Sequence, residues 1–161
     1  MTVRGDGGGG GGGVFEAATG DGPPPLPADA EQRSREVRAA LDGLLGIRRL
    51  TRGGDAGAVP ADWERRQPVR AVALVLEAGG ITPSSVDAAG ARTSTGYRVR
   101  AGERPGTAVV EWPGPPGAGA ARDEAEALGA CVPVLARLGW DALLYKGPRG
   151  RRFLEVEPMG D

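Results

Sequence analysis

The sequence predicts an α+β domain: two N-terminal helices, then hairpin, helix and hairpin, the hairpins forming a four-stranded, mainly antiparallel sheet with the helices on one face. Three observations predict it. Apolar residues recur at helical spacing in three stretches, the spacing shortens to two in four others, and Gly- and Pro-rich segments separate them. Short connections between consecutive strands favour antiparallel pairing, and a one-faced sheet buries the helical stripes.

Residues 1–27 hold the glycine run 7–13 and the cluster GDGPPPLP, a composition with high chain entropy and almost nothing to bury, so they read as a disordered tail. A phosphate-binding loop would need Lys-Ser/Thr closing the glycine run, and Val14 and Phe15 follow instead. A length of 161 residues suits one domain behind that tail, covering 28–161 with its core in 60–158. Residues 28–46 form the first helix, with Val37, Ala40, Leu41, Leu44 and Leu45 on one face and Arg33, Arg35, Arg38 and Asp42 elsewhere. Gly43 and Gly46 weaken its end by about 1 kcal/mol each, so the segment 28–50 is expected to attach loosely. TRGGDAGAVPAD, 51–62, reads as a loop.

A second helix runs over 68–78, opened by Pro68 and closed by Gly79 in a left-handed cap, with Val69, Val72, Ala73 and Leu76 buried. Thr82 and Pro83 suggest the cap and start of one short helical turn. GYRVRAG and TAVVEW are strands, with Tyr97, Val99, Val110 and Trp112 on one side and Arg98, Arg100, Val109 and Glu111 on the other. After PGPPGAGA a third helix covers 122–138, its stripe Leu128, Cys131, Val132, Leu135 and Leu138, with a kink expected at Pro133. DALLYK and RRFLEVE close the domain as a second hairpin.

Composition excludes several chemistries. Without histidine there is no Ser-His-Asp or Cys-His catalysis and no imidazole metal site. The lone Cys131 sits on an apolar helical stripe, where a buried, inert thiol is expected. The 20 basic and 21 acidic residues leave no global field for nucleic acid or anionic membrane, and 19 of the 20 cations are Arg, the coding of a GC-rich genome. The run AVALVL is too short to span a bilayer and the N-terminus lacks the order of a signal peptide, so a cytosolic location and no membrane partner are expected. No spacing signals a cofactor or metal.

The runs TGYRVRAGERPGTAVVEWPGPPG and LGWDALLYKGPRGRRFLEVEP resemble small proteins of high-GC actinomycetes. The resemblance covers about residues 66–158 and implies no activity.

One cluster invites a ligand. YKGPRGRRF places Lys146, Arg149, Arg151 and Arg152 beside Tyr145 and Phe153, a set that could clamp phosphates and stack on bases. The turn itself needs no ligand, since Pro148 suits the second position of a type I turn and Gly150 a left-handed residue after it. The adjoining sheet face mixes Arg98 and Arg100 with Glu111, Glu155 and Glu157, an ordinary solvated face. A winged helix with PSSVDAA as its recognition helix has the right order of elements but lacks the Arg, Lys, Asn or Gln that would read bases. The acidic trio Asp123, Glu124 and Glu126 is explained by the dipole of a helix start, and the hydroxyls of Thr93, Ser94 and Thr95 lack a base. Trp112 and Trp140 are expected to be buried anchors. The sequence thus points to a non-catalytic binding or accessory protein that meets another protein at a sheet edge. The alternative is a nucleic-acid-binding accessory protein using the tip 145–153.

Overall fold

Residues 71–76 are apolar at every position, so a helix built from them has no face to give to water and must lie between other elements. The computed structural model, which describes residues 15–52 and 59–160, places it there. The chain forms α1 (Ala30–Arg52), α2 (Asp62–Arg66), α3 (Pro68–Ala78), β1 (Ser85–Val86), β2 (Arg92–Ser94), β3 (Arg98–Ala101), β4 (Ala108–Glu111), α4 (Ala120–Arg137), β5 (Trp140–Lys146) and β6 (Arg152–Pro158). All six residues of the α3 run are buried. Leu74 meets Val37 and Leu44 of α1 on one side, while Val72, Ala73, Val75 and Leu76 join the main core over the sheet.

The α+β expectation holds. β3, β4, β6 and β5 form one antiparallel sheet in that order, and β1 and β2 form a separate small hairpin. Tyr97, Val99, Val110, Leu154, Val156, Ala142 and Trp140 face the helices and join Leu128, Cys131 and Leu135 of α4 in the core. Trp140 is wholly buried and Trp112 partly so. α4 runs through Pro133 as one element. Cys131 is buried, and burial pushes its thiol up to about 12.

Several expectations give way to tertiary contacts. α1 extends past Gly43 and Gly46 because its far turn is anchored: Arg48, wholly buried, follows Leu44 on the packed face. Arg33, expected off that face, begins it one turn before Val37 and pairs with Glu77 of α3 at 2.7 Å. The loop expected at 51–62 ends in the start of α2, where Glu64 accepts a hydrogen bond from the Ala61 N–H at 3.0 Å. The left-handed residue after α3 is Gly80, with φ 86°, while Gly79 has φ −82°. Gly79 serves close approach instead, because a Cβ there would lie 2.4 Å from a methyl of Val134. The short helical turn at Thr82 and Pro83 is a strand-like passage: Pro83 bridges Tyr97, and Ser85 and Val86 pair with β2. A winged helix therefore lacks its recognition helix.

The tail reading concerned residues 1–27. Residues 1–14 lie outside the described ones, and 15–27 run as an irregular strap against the domain. Phe15 lies under the Arg33 guanidinium at 4.6 Å, and Phe15 and Ala17 pack on the core clusters. Thr19 offers its carbonyl to the Val99 N–H at 2.8 Å, Gly22 offers its own to Val86 at 2.9 Å, and the buried Tyr97 hydroxyl donates to Ala18 O at 2.7 Å. Gly20 makes the approach feasible, since with φ 94° it also sits where a Cβ would be 2.2 Å from Tyr97 O. Composition hid the strap because its bonds are made mostly by backbone groups, which no residue type announces.

Candidate partner interface

The basic tip is a tight reversal. Gly147 donates to Arg151 O at 2.7 Å and Gly150 to Gly147 O at 3.1 Å. The expected turn placed only Gly150 in the left-handed region, but Arg149 is there too, with φ 66° and ψ 11°. A non-glycine residue holds that conformation at a cost of roughly 1–2 kcal/mol. Tyr145 and Phe153 face each other across the hairpin, their rings stacked with centroids 5.8 Å apart.

The four cations do not act together. Glu124, the fifth residue of α4 and 1% exposed, accepts from Arg151 Nε at 2.7 Å and from the Arg152 N–H at 2.9 Å. Arg151 also donates to Trp112 O at 3.1 Å, and the Arg152 side chain lies 3.9 Å from the same carboxylate. This carboxylate fastens the hairpin to the helix, a role beyond the helix-dipole explanation. Its signal in the sequence was weak, for nothing in the spacing of Glu124 and Arg151 announces their meeting. Lys146 and Arg149 remain exposed, with no ion pair among the described residues. Duplex DNA held by this tip would gain two phosphate contacts, so a plot of log binding constant against log salt is expected to slope no more steeply than about −1.8, against about −3.6 for four. A titration of the parent across salt concentrations measures it. A parent slope near −3.6 would show that Arg151 and Arg152 leave Glu124 for phosphate.

The other candidates disperse. Asp123 and Glu126 are exposed and Asp123 lies beside Arg122 at 3.6 Å, so the acidic trio does not converge. No group of acidic or Cys side chains among the described residues could hold a metal ion. Ser85 Oγ lies 2.8 Å from both Thr93 Oγ1 and Ser94 Oγ, a set of hydroxyls satisfied by each other with no base beside them. No helix among the described residues is long and apolar enough to cross a membrane.

The sheet face away from the helices is charged as expected: Arg98 and Arg100 each reach Glu111 at 3.2 Å, and Arg104 reaches Glu157 at 3.2 Å. The exception lies along β5. Leu143, Leu144 and Tyr145 are 51%, 46% and 42% exposed, consecutive on an edge strand. Backbone phase matters here. Met159 donates to Gly139 O at 2.8 Å and Gly147 donates to Arg151 O, so the odd-numbered residues 139–147 direct their polar groups to the β6 side. Trp140, Ala142, Leu144 and Lys146 direct theirs to the other side, where Trp140 and Ala142 are buried while Leu144 and Lys146 are exposed and no segment among the described residues pairs with them. The opposite edge is covered at Tyr97 and Val99. Tyr97 on β3's outer side bonds Thr82 O and the Ser84 N–H at 2.9 Å each, and Val99 bonds Thr19 of the strap.

No family model, curated protein or solved structure gives a significant match to the chain. The reading of the site therefore rests on its own geometry.

Proposed function

We propose that this chain is a non-catalytic binding domain that takes up a protein strand along the outer edge of β5. The observation that carries the reading is the asymmetry of the two edges: β3 is covered by the strap and the Thr82–Ser84 passage, whereas β5 presents unpaired backbone groups beside three exposed apolar side chains. Edge strands are ordinarily blunted by charge, bulge or cover. On β5 only Lys146 supplies a charge among the outward-directed residues. Strand addition draws affinity from main-chain hydrogen bonds and selectivity from alternate side chains, and here Leu143 and Tyr145 would read one face of the incoming strand while Leu144 reads the other.

The test is a selection of displayed peptides on sparsely immobilised full chain, so that neighbouring copies do not meet. Enriched peptides should alternate apolar residues and should lose at least tenfold in affinity on Leu144→Pro. That substitution removes an outward N–H and no bond to β6, the one setting in which a strand tolerates proline. Leu144→Lys keeps every backbone group and serves if the proline variant does not fold. No enriched peptide, or peptides indifferent to both substitutions, would overturn the reading.

A further inference from the structure

The edge that can receive a strand is itself a strand of matching phase. We infer that β5 pairs with β5 of a second copy of this chain, antiparallel, about a two-fold axis through Leu144. The inference rests on the proposed use of the β5 edge and names its partner.

Three observations select this partner and register. First, the backbone groups directed away from β6 belong to even-numbered residues, and the exposed ones are those of 144 and 146. Two such strands satisfy each other when even residues face even residues, as they do when the axis passes through a residue. Second, an axis at Leu144 sets Leu144 against Leu144, Leu143 against Tyr145 of the second copy and Tyr145 against its Leu143. Every exposed apolar side chain of the edge is then covered by another. Moving the axis to Leu143 would oppose Tyr145 to Asp141, and moving it to Tyr145 would oppose Leu144 to Lys146. Third, the charges permit it. Lys146 would lie against Ala142, and the two copies of Lys146 would be four residues apart along the seam, about 13 Å. Like charges meet nowhere in the ladder.

Closure follows from the other edge. With β3 covered, the pairing uses up the open edges, and a two-fold contact of this kind ends at a dimer with a continuous eight-stranded sheet. A chain open at both edges would instead propagate.

The experiment uses the full chain and three readouts. Sedimentation across a hundredfold range of concentration should show the mass rise from 16.4 kDa to twice that value. Hydrogen exchange should show the Leu144 and Lys146 amides gaining protection with concentration, while those of Leu143 and Tyr145, directed to β6, are protected throughout. Under mild oxidation Leu144→Cys should give a cross-linked dimer, because facing residues of a bonded pair have Cα atoms about 5.5 Å apart, within disulfide reach. Lys146→Cys should not. A monomer at every concentration, or cross-linking through residue 146 in place of 144, overturns the inference. These failures are separable from failure of the edge reading: a monomer that still binds selected peptides, and loses them on Leu144→Pro, keeps the edge and rejects the second copy.

Discussion

Glu64→Gln is expected to destabilise the fold by about 3–5 kcal/mol, the cost of leaving one partner of a buried ion pair uncompensated. Arg48 and Glu64 are both wholly buried, and the guanidinium meets the carboxylate through two parallel bonds of 2.7 Å, from Nε and from Nη2. Nη2 also donates to Leu138 O at 2.8 Å, and Glu64 accepts from the Ala61 N–H. One ion pair therefore ties the far turn of α1 to α2 and to the end of α4. The neutral amide of Gln can still accept, but it leaves the charge of Arg48 in a site closed to water. Thermal denaturation should register a fall in Tm on the order of 10 °C. The double variant Arg48→Met, Glu64→Leu should recover most of that loss, because replacing both charges by apolar groups removes the desolvation penalty along with the attraction. An unchanged Tm for Glu64→Gln would mean that water reaches the pair.

Periodicity carried much of the fold. α3 was legible to the residue because Pro68 opens it and an unbroken apolar run fills it, and the common face of Tyr97, Val99 and Val110 followed from alternation. What periodicity could not carry was contact between distant segments. Arg33 was placed off the apolar face by its type, yet it and Arg48 lie on the packed stripe of α1 at 33, 37, 41, 44 and 48, where the signal was spacing and not chemistry. Thr82 and Pro83 carry the chemistry of a helix start, and the passage became strand-like because Tyr97 offered it an unpaired edge. At the hairpin tip the availability of the cations was not legible, since Glu124 reaches Arg151 across 27 residues of sequence. The apolar triplet Leu143, Leu144 and Tyr145 was visible as a strand. That no described segment pairs with its outer edge depends on where distant segments run, which composition does not encode.

Deleting residues 1–27 is expected to lower stability by several kcal/mol and, in the same chain, to open a second route of association. The loss is built from parts that each contribute about 0.5–1.5 kcal/mol: the bonds of Val99 to Thr19 O, Val86 to Gly22 O, Tyr97 to Ala18 O and Ala18 to Glu77 at 3.0 Å. Against these stands the chain entropy released by the missing segment, so the net effect is smaller than the sum. The Tyr97 hydroxyl, deeply buried, keeps only Ala73 O at 3.3 Å. A chain beginning at Phe15 is the proper reference, because it retains every strap contact. Acid should narrow the gap between the two chains. Burial raises the Asp21 carboxyl, but the Arg98 and Arg92 guanidiniums outweigh it and hold the group below its ordinary value of 3.8. Its contribution is thus complete above that value and is lost as pH falls through the lower, folded one. Association should change in kind as well as degree. Removing Thr19 bares the Val99 N–H on the outer side of β3, beyond Tyr97 where the Thr82–Ser84 passage stays paired, so that a neighbour can add there as well as along β5. Light scattering that rises without limit in the 1–27 deletion, and plateaus for the chain beginning at Phe15, is the expected result. Equal Tm values for the two chains would show that the strap contributes nothing to stability, and equal scattering would show that it does not guard β3.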